Sequence, residues 1–341
     1  MLMSPRPLVA KDEIFGIFDA MRIKHPHHEA AVAIFETLRN RKKSFPNAQQ
    51  TAGCLFAGSC SGKTTSVKWY IEKVLLPEWL ASQPAHPEVE MEVLLRMQTI
   101  GLHVELSGET TMSGLMSDFL EALDDPDPHR GTVKQRRFRV EKALKRRGYQ
   151  IIFLDETQHL KTQTNAGPIG RQDDATSVQN TLKRWVKRWP IVFVGTQHAE
   201  RVVFEHQVQT RTNPPIHFGP LHFSREQDAK IVVEFCGRLA LKIAQHGILD
   251  ESPEILADGD VPLCLNIASK GRLGLITIIV RMALEYAVGS GLRQLRREHL
   301  EKAVTTYSLR IGLCSYNPFT KGPHLMPSIE EFANDNSIEL V

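Results

Sequence analysis

The stretch AGCLFAGSCSGKTTSVKWYIEKVLL, residues 52–76, joins a short apolar run to a glycine-containing turn and then to an amphipathic segment. This succession predicts a buried β-strand, a loop and an α-helix, the unit from which parallel sheets are built. The loop, residues 57–64, reads A-G-S-C-S-G-K-T and approximates G-x-x-x-x-G-K-[ST], whose backbone amides surround phosphate groups. We therefore expect phosphates at the start of the helix, where N–H groups and the helix dipole favour negative charge.

The loop motif gives each polar group a separate task. Lys63 is expected to reach the β and γ phosphate oxygens of ATP, and the hydroxyl of Thr64 to bind Mg²⁺. The other predicted nucleotide contacts in this segment are Gly58, Ser59, Cys60, Ser61, Gly62 and Thr65. Ala57 stands where the motif has its first glycine, which leaves two alternatives open: a shifted turn, or a turn that tolerates alanine.

A second apolar run, IIFLDE at residues 151–156, ends in two carboxylates. Phosphoryl transfer depends on positioning and electrostatics more than on covalent chemistry. We therefore expect Asp155 to hold Mg²⁺ through water and Glu156 to orient the attacking water. The alternative is a solvated turn, which the upstream phosphate loop disfavours.

Polar residues also follow the next apolar run, IVFVG at residues 191–195. Either Thr196 or Gln197 is a candidate sensor of the γ-phosphate there, and the alternative is a polar loop cap. Two arginines complete the predicted site. Arg211 is the candidate finger toward a neighbouring subunit's ATP, and Arg272 is a candidate acting within its own chain.

Further short apolar runs at residues 102–106 and 216–219 bring the predicted strands to five, separated by segments with helical periodicity. The expected fold class is α/β, with a parallel five-stranded sheet covered on both faces and a small all-helical lid domain after it. A capping box of Ser224 and Gln227 is expected to start the first lid helix. The predicted domains are an N-terminal helical segment (1–50), a nucleotide-binding core (51–221), a helical lid (222–312) and a mobile or partner-docking tail (313–341).

Composition places the chain among folded globular proteins. Of its 341 residues, 42% are hydrophobic and 24% charged, and the net charge of +3 is too small to imply a polyanionic partner by itself. The sequence has no membrane-length apolar run and no apolar signal segment at its N-terminus, so we expect a cytoplasmic protein without membrane contact. The five scattered cysteines do not form a zinc-binding pattern.

The order of phosphate loop, Asp-Glu strand end, polar strand end and trailing helices resembles the AAA+ ATPases. Within them, HPHHEA before the loop, IIFLDETQHL, IVFVGTQHA and ASKGRLGLITIIVRMALEYAVGSG resemble the TniB family of transposition ATPases, relatives of TnsC and more distantly of IstB and MuB. The resemblance covers residues 20–310. It implies ATP-dependent rings or filaments on double-stranded DNA in the bacterial cytosol. It also implies recruitment or activation of a DDE-type transposase, with a TniQ-like target-selection protein as a further partner.

The resemblance gives weight to a basic segment that precedes the Asp-Glu strand. Its first half is a candidate DNA-binding stripe, formed by Lys134, Arg136, Arg137 and Arg139. Its second half, residues 142–147, is expected to face a neighbouring subunit instead of DNA. The alternative for the whole segment is a solvated helix face. For Trp185 and Trp189, which alternate with basic residues, packing is favoured over base stacking.

Two other classes of function remain open at this stage. One is a different nucleotide switch, such as a helicase loader or a signalling ATPase, which shares the nucleotide site and differs in its partner. The other is a P-loop kinase or small-molecule transferase. Its expected properties are a monomeric state and a small-substrate pocket without any need for Arg211.

Overall fold

The structure of the protein is a computed structural model. It describes residues 9–83, 89–108, 111–160, 169–197, 199, 212–213, 216–324 and 328–335. The chain forms two compact units. The sheet unit comprises His27–Ser59 and Lys63–Phe218, and the helical unit comprises Met1–Pro26, Cys60–Gly62 and Gly219–Val341. The predicted domain boundaries differ from this division, because the described residues 9–26 group with the C-terminal helices.

Helices and strands alternate through the first two thirds of the chain, as the apolar runs predict. In chain order these elements are α1 (Lys11–Ala20), α2 (Pro26–Ser44), β1 (Gly53–Phe56), α3 (Lys63–Tyr70), a π-helical turn (Ile71–Leu75), α4 (Leu76–Ala81), α5 (Met91–Met97), β2 (Gly101–Glu105), α6 (Met112–Ala122), α7 (Val133–Arg147), β3 (Ile151–Asp155), a 3₁₀ turn (Thr157–His159), α8 (Ile169–Val186), β4 (Ile191–Gly195) and β5 (Ile216–His217). Strands β3 and β4 have the predicted bounds.

The five strands form one sheet in the order β2-β3-β4-β1-β5, and every paired strand runs parallel to its neighbour. This confirms the predicted parallel five-stranded sheet. Parallel strands need crossover connections, and helices supply the successive ones from β1 through to β4. Because all strands point the same way, the loops after β1, β3 and β4 emerge at one edge, the carboxyl end where α/β sheets bind ligands.

Apolar side chains cover both faces of the sheet. On one face, helices α2 and α3 pack through an aromatic group in which the Phe35 and Phe153 ring centroids lie 4.9 Å apart. On the other face, α6, α7 and α8 pack around Phe119 and Trp185, whose centroids also lie 4.9 Å apart. Trp185 and Trp189 are both buried, so these tryptophans pack in the interior instead of presenting a stacking surface.

The helical unit confirms the predicted all-helical region after the sheet. Its remaining elements are α9 (Glu226–Gln245), a 3₁₀ turn (Glu254–Ala257), α10 (Val261–Ala268), α11 (Leu273–Gly289), α12 (Arg297–Ala303), a π-helical turn (Val304–Leu309), α13 (Pro318–Lys321) and α14 (Ile329–Asp335). Helix α1 packs on α11 within one apolar core. The predicted tail contributes to this unit, because Phe319 lies buried in the same core.

The first lid helix begins differently from the prediction. Helix α9 starts at Glu226 after an uncapped Arg225, so Ser224 and Gln227 do not form the expected capping box. Asp228 instead accepts a hydrogen bond from the backbone N–H of His222 at 2.9 Å, while Ser224 Oγ lies 2.6 Å from His222 Nδ1. The turn before the helix therefore engages Ser224 with the His222 ring and takes its backbone acceptor from Asp228 instead of Gln227.

No single helix in the described ranges is long and apolar enough to cross a membrane. Helices α10 and α11, which are bent by 110° relative to each other, together have the length and apolar composition of a span, and nothing more points to one.

Candidate nucleotide site

The phosphate loop obtains its turn from two residues in the left-handed region of backbone conformation. Cys60 has φ of 61° and Gly62 has φ of 91°, whereas Ala57 is not among the described residues with positive φ. Alanine is therefore tolerated at position 57, because that position does not require glycine's conformational freedom. The second alternative left open by the sequence, an unshifted loop that accepts alanine, is the one that the backbone favours.

Lys63 begins α3 and is nearly buried, with 9% of its surface exposed. Its ammonium group donates hydrogen bonds to the carbonyl oxygens of Ala57 at 2.9 Å and Gly58 at 2.8 Å. A buried ammonium needs such partners, because desolvation without hydrogen bonds is costly. These carbonyl contacts hold the cation inside the curve of its own loop, where the sequence predicts phosphate oxygens.

The other predicted loop contacts differ in accessibility. Ser59, Cys60 and Thr65 are exposed, whereas Ser61 is buried. By position in the two compact units, Ser59 and Thr65 belong to the sheet unit, and Cys60 and Ser61 to the helical unit.

Asp155 ends β3 and is 1% exposed, yet it is fully hydrogen-bonded. Its Oδ2 accepts the Thr64 hydroxyl at 2.8 Å and lies 3.2 Å from His103 Nε2, and its Oδ1 accepts the Glu156 N–H at 2.9 Å. Burial opposes ionisation, but the His103, Thr64 and Glu156 hydrogen bonds outweigh it and hold the pKa of Asp155 below its usual value. The two predicted magnesium ligands, Thr64 and Asp155, are thus in direct contact.

Glu156 occupies the left-handed region, with φ of 57° and ψ of 36°. This conformation is uncommon for a residue with a side chain, and such backbones concentrate at functional sites. The carboxylate accepts a hydrogen bond from Gln158 Nε2. The other end of the same amide, Gln158 Oε1, accepts the N–H of Thr196 at 3.0 Å. Gln158 therefore links the end of β3 to the end of β4.

Thr196, one of the two candidate sensors, directly follows β4. Its Oγ1 is buried and has no hydrogen-bond partner among the described residues. Gln197, the other candidate, is half-buried beside it. Gly195 allows this crowded strand end, because a Cβ there would lie 2.6 Å from Thr157 Oγ1 and 2.8 Å from Gln158 Oε1. An unpartnered buried hydroxyl at this edge fits a predicted contact with a phosphate oxygen.

Sequence reasoning missed His103 and Gln158. Gln158 lies only two residues beyond Glu156, and a polar residue so close to the strand end was the signal available for it. His103 lies in a strand whose neighbours Leu102 and Val104 are buried. A lone histidine in an apolar strand gives no comparable signal, because its partner comes from β3 through sheet pairing.

Arg272 lies in the helical unit, where it immediately precedes α11. The turn around it is tight. A Cβ at Gly271, which has φ of 70°, would lie 2.2 Å from the carbonyl oxygen of Leu221, and a Cβ at Gly274 would lie 2.2 Å from that of Cys60. The start of α11 therefore packs directly on Cys60 of the phosphate loop, within the same compact unit.

Comparison with known proteins agrees with this geometry. Residues 47–203 match the family model described as an AAA domain. Among solved structures, the Aeropyrum pernix ORC1 protein in complex with DNA has a TM-score of 0.55 at 21% identity, covering 85% of this chain and 68% of that one. The ADP form of the Aeropyrum pernix ORC2 protein gives 0.58 at 15% identity, covering 85% and 72%.

The chain has an AAA+ P-loop fold. Cdc6p from Pyrobaculum aerophilum shares it, with a TM-score of 0.51 and 13% identity over 84% of this chain and 69% of that one. None of the curated proteins compared with the chain matches it. Arg211, the predicted finger of the AAA+ site, lies outside the described residues.

The predicted DNA-binding residues of the AAA+ core lie on α7, but they point in different directions. Arg136 donates to Ser117 Oγ at 2.7 Å and to Ser113 Oγ at 2.7 Å, and both serines are on α6. Arg139 pairs with Asp125 at 3.0 Å. These two arginines are thus already used within the protein.

Lys134 and Arg137 make no such contacts with the described residues. Lys134 is exposed and Arg137 partly exposed, and neither has a hydrogen bond or ion pair to the described part of the chain. Phe138 beside them is 66% exposed. A shallow groove of about 570 Å³ runs past Lys134 and Phe138 and includes Arg139 but not Arg137; it is lined by Arg130, Gly131, Lys134, Gln135, Phe138 and Arg139.

Proposed function

We propose that the protein is an ATP-dependent, DNA-binding AAA+ regulator of transposition, which assembles on duplex DNA and recruits or activates a DDE-type transposase. The observation that carries the nucleotide half of this proposal is the contact between Thr64 and Asp155 at 2.8 Å. The transposition half is supported by the resemblance of residues 20–310 to the TniB family. The AAA domain match over residues 47–203 supports an ATPase in general.

The residues at this edge of the sheet fit Mg²⁺ and a nucleoside triphosphate. A hydroxyl and an ionised carboxylate are hard oxygen donors of the kind Mg²⁺ takes, usually together with water and phosphate oxygens. The N-terminus of α3 favours phosphate. Thr196 Oγ1, which has no hydrogen-bond partner in the described part of the chain, provides one more polar group. When bound there, Mg²⁺ supplies charge neutralisation on the phosphate oxygens. Thr64 would bind it directly, Asp155 through water.

The roles of Lys63, Glu156, Gln158 and Thr196 agree with the positions of their side chains, and Arg211 and Arg272 keep the roles expected from the sequence. Lys63 exchanges its carbonyl partners for phosphate oxygens, and Glu156 orients the attacking water. Gln158 sets the direction of the Glu156 carboxylate, and Thr196 contacts the γ-phosphate. Hydrolysis loosens an assembly whose neighbouring subunit contributes Arg211, while Arg272 acts within its own chain.

The α7 surface supports DNA as the partner. Lys134 and Arg137 are the proposed phosphate contacts, since no protein acceptor in the described ranges neutralises them. Arg136 and Arg139 hold the helix in place instead of binding DNA. Among proteins of the same fold, the Aeropyrum pernix ORC1 protein was solved in complex with DNA, which is consistent with this assignment.

The variant Glu156→Gln tests the switch. We expect it to bind ATP like the wild type, to hydrolyse it about 100-fold more slowly, and to persist on duplex DNA as rings or filaments. The measurement combines nucleotide binding, phosphate release and electron microscopy of protein with DNA and ATP. The matched control is Glu121→Gln, a surface carboxylate of α6 that pairs only with His129 in the described structure.

Three outcomes separate the candidate functions. Failure of the wild type to bind duplex DNA at low salt with ATP removes the DNA and transposition parts and leaves a different nucleotide switch. A monomer that phosphorylates a small substrate indicates the kinase class. DNA-bound assemblies that do not stimulate any DDE-type transposase tested leave a DNA-dependent ATPase with another partner.

A further inference from the structure

His103 lies in the middle of β2 and turns its ring toward the end of β3. Its side chain is 19% exposed, and its Nε2 lies 3.2 Å from Asp155 Oδ2. An ionised carboxylate only accepts hydrogen bonds, so Nε2 carries the hydrogen and donates it. This donor joins the Thr64 hydroxyl on the same oxygen atom.

Strand pairing places the imidazole there. In the β2–β3 register, His103 lies beside Phe153 and Glu105 beside Asp155. Side chains alternate between the faces of a sheet, so His103 and Asp155 share one face, while Leu102 and Val104 point to the other and are buried. Burying a polar ring in such a strand is costly unless it is hydrogen-bonded, and the carboxylate provides the acceptor.

The hydrogen bonds on Asp155 leave its carboxylate one orientation. Oδ1 is fixed by the Glu156 N–H, and Oδ2 is fixed by Thr64 and His103. Without His103, a hydroxyl alone would hold Oδ2. That hydroxyl is itself a proposed metal ligand, so it cannot serve as an independent anchor.

We propose that His103 is a positioning residue for Mg²⁺: it holds the Asp155 carboxylate so that its remaining acceptor positions meet a water ligand of the metal. The inference rests on the proposed Mg·ATP site. Outer-shell hydrogen bonds of this kind typically change metal affinity by 10–100-fold when they are removed.

The test titrates Mg²⁺ against the binding of a fluorescent, slowly hydrolysed ATP analogue, first in excess chelator and then with increasing metal. His103→Leu has a similar volume and no donor. We expect it to raise the half-saturating Mg²⁺ concentration about tenfold, while the affinity for the analogue without metal stays within twofold. His103→Gln places an amide N–H near the position of Nε2, and it should restore the wild-type titration to within about threefold.

Two further variants complete the test. His103→Asn keeps a polar side chain that is too short to reach Asp155, so it should behave like His103→Leu even if the leucine variant folds poorly. His129→Leu removes an exposed histidine that pairs with Glu121 in the same unit, and it should leave the titration unchanged.

The outcomes distinguish the inference from the proposal on which it rests. If His103→Leu, His103→Asn and His103→Gln all titrate like the wild type, or all shift equally, His103 does not position the carboxylate. If the wild type binds the analogue equally well with and without Mg²⁺, the Thr64–Asp155 magnesium site itself is wrong, and the inference falls with it.

Discussion

The end of β3 and helix α7 both concentrate charged side chains, but they use them differently. At the strand end, Asp155 is 1% exposed and both of its carboxylate oxygens accept hydrogen bonds. On α7, the segment VKQRRFRVEKALKRR carries one acidic residue against eight basic ones, and only part of that charge has protein partners. At the strand end, hydrogen bonds within the fold orient both carboxylate oxygens of Asp155. On α7, some basic side chains bind protein groups and hold the helix, and the others point outward.

This difference shows what makes charge informative about function. A buried carboxylate with several donors has one possible geometry, so its chemistry can be derived from its contacts. An exposed lysine or arginine adopts many conformations, and its contribution depends on a partner outside the chain. The two regions should therefore respond differently to substitution. Changes at the strand end should lower the rate of ATP hydrolysis. Changes on α7 should lower stability where the side chain has a protein partner and DNA affinity where it has none.

At the strand end, Gln158→Ala is expected to have a larger effect than any substitution on α7. Gln158 donates to the Glu156 carboxylate and accepts from Thr196, so its loss frees both groups at once. A hydrogen bond to a charged group contributes about 1.5–3 kcal/mol, so we expect kcat for ATP hydrolysis to fall at least tenfold. The affinity for ATP should fall by no more than a few-fold, because Lys63 and Thr64 stay in place and only the proposed Thr196 contact with the γ-phosphate loses a support.

Steady-state phosphate release measures kcat, and equilibrium nucleotide binding measures the affinity for ATP. Gln179→Ala on α8 is a control in the same unit, with no effect on either quantity expected. A Gln158→Ala enzyme that loses ATP affinity while keeping kcat would mean that the amide supports nucleotide binding by the phosphate loop. The strand end would then not differ from α7 through the rate of hydrolysis.

The sheet and the Asp155–Thr64 contact could be predicted from sequence because both follow from local patterns. Apolar runs of four to six residues specify parallel strands, and the carboxyl ends of such strands meet at one edge. A loop motif after one strand and a carboxylate after another must then lie close together. Neither inference needs knowledge of side-chain contacts.

His103 and the inward arginines of α7 could not be predicted in this way. The role of His103 depends on which residue of β3 lies beside it, and register is a property of the folded sheet. Arg136 and Arg139 belong to the same basic run as Arg137, but helical geometry turns them toward Ser113 and Asp125, which lie in other segments of the chain. The capping box at Ser224 was wrong for a similar reason, since Asp228 takes the backbone N–H of His222.

Two single substitutions, Arg136→Ala and Arg137→Ala, test the same comparison within α7. Arg136 makes three hydrogen bonds to α6, so its loss should lower the free energy of unfolding by about 1–2 kcal/mol. Arg137→Ala should change that free energy by less than about 0.5 kcal/mol and should weaken DNA binding instead. Urea unfolding and DNA-binding titrations on both variants measure the two quantities, and the reverse pattern would exchange the roles given to the two arginines.

The smallest and most specific effect is expected for Lys134→Gln. If Lys134 neutralises one phosphate, the slope of log affinity against log salt should decrease by about one, and affinity at physiological salt should fall only a few-fold. Phe138→Leu in the same groove should lower affinity without changing the slope, since an apolar contact releases no counterions. Lys42→Gln is the matched control, because its ammonium group is held by the carbonyl oxygens of Pro46 and Arg188, both at 2.8 Å. An unchanged slope for Lys134→Gln would place the DNA away from the start of α7. A slope that changes for Lys134→Gln and not for Lys42→Gln would show that a basic side chain binds DNA because it points outward, more than because charge is dense around it.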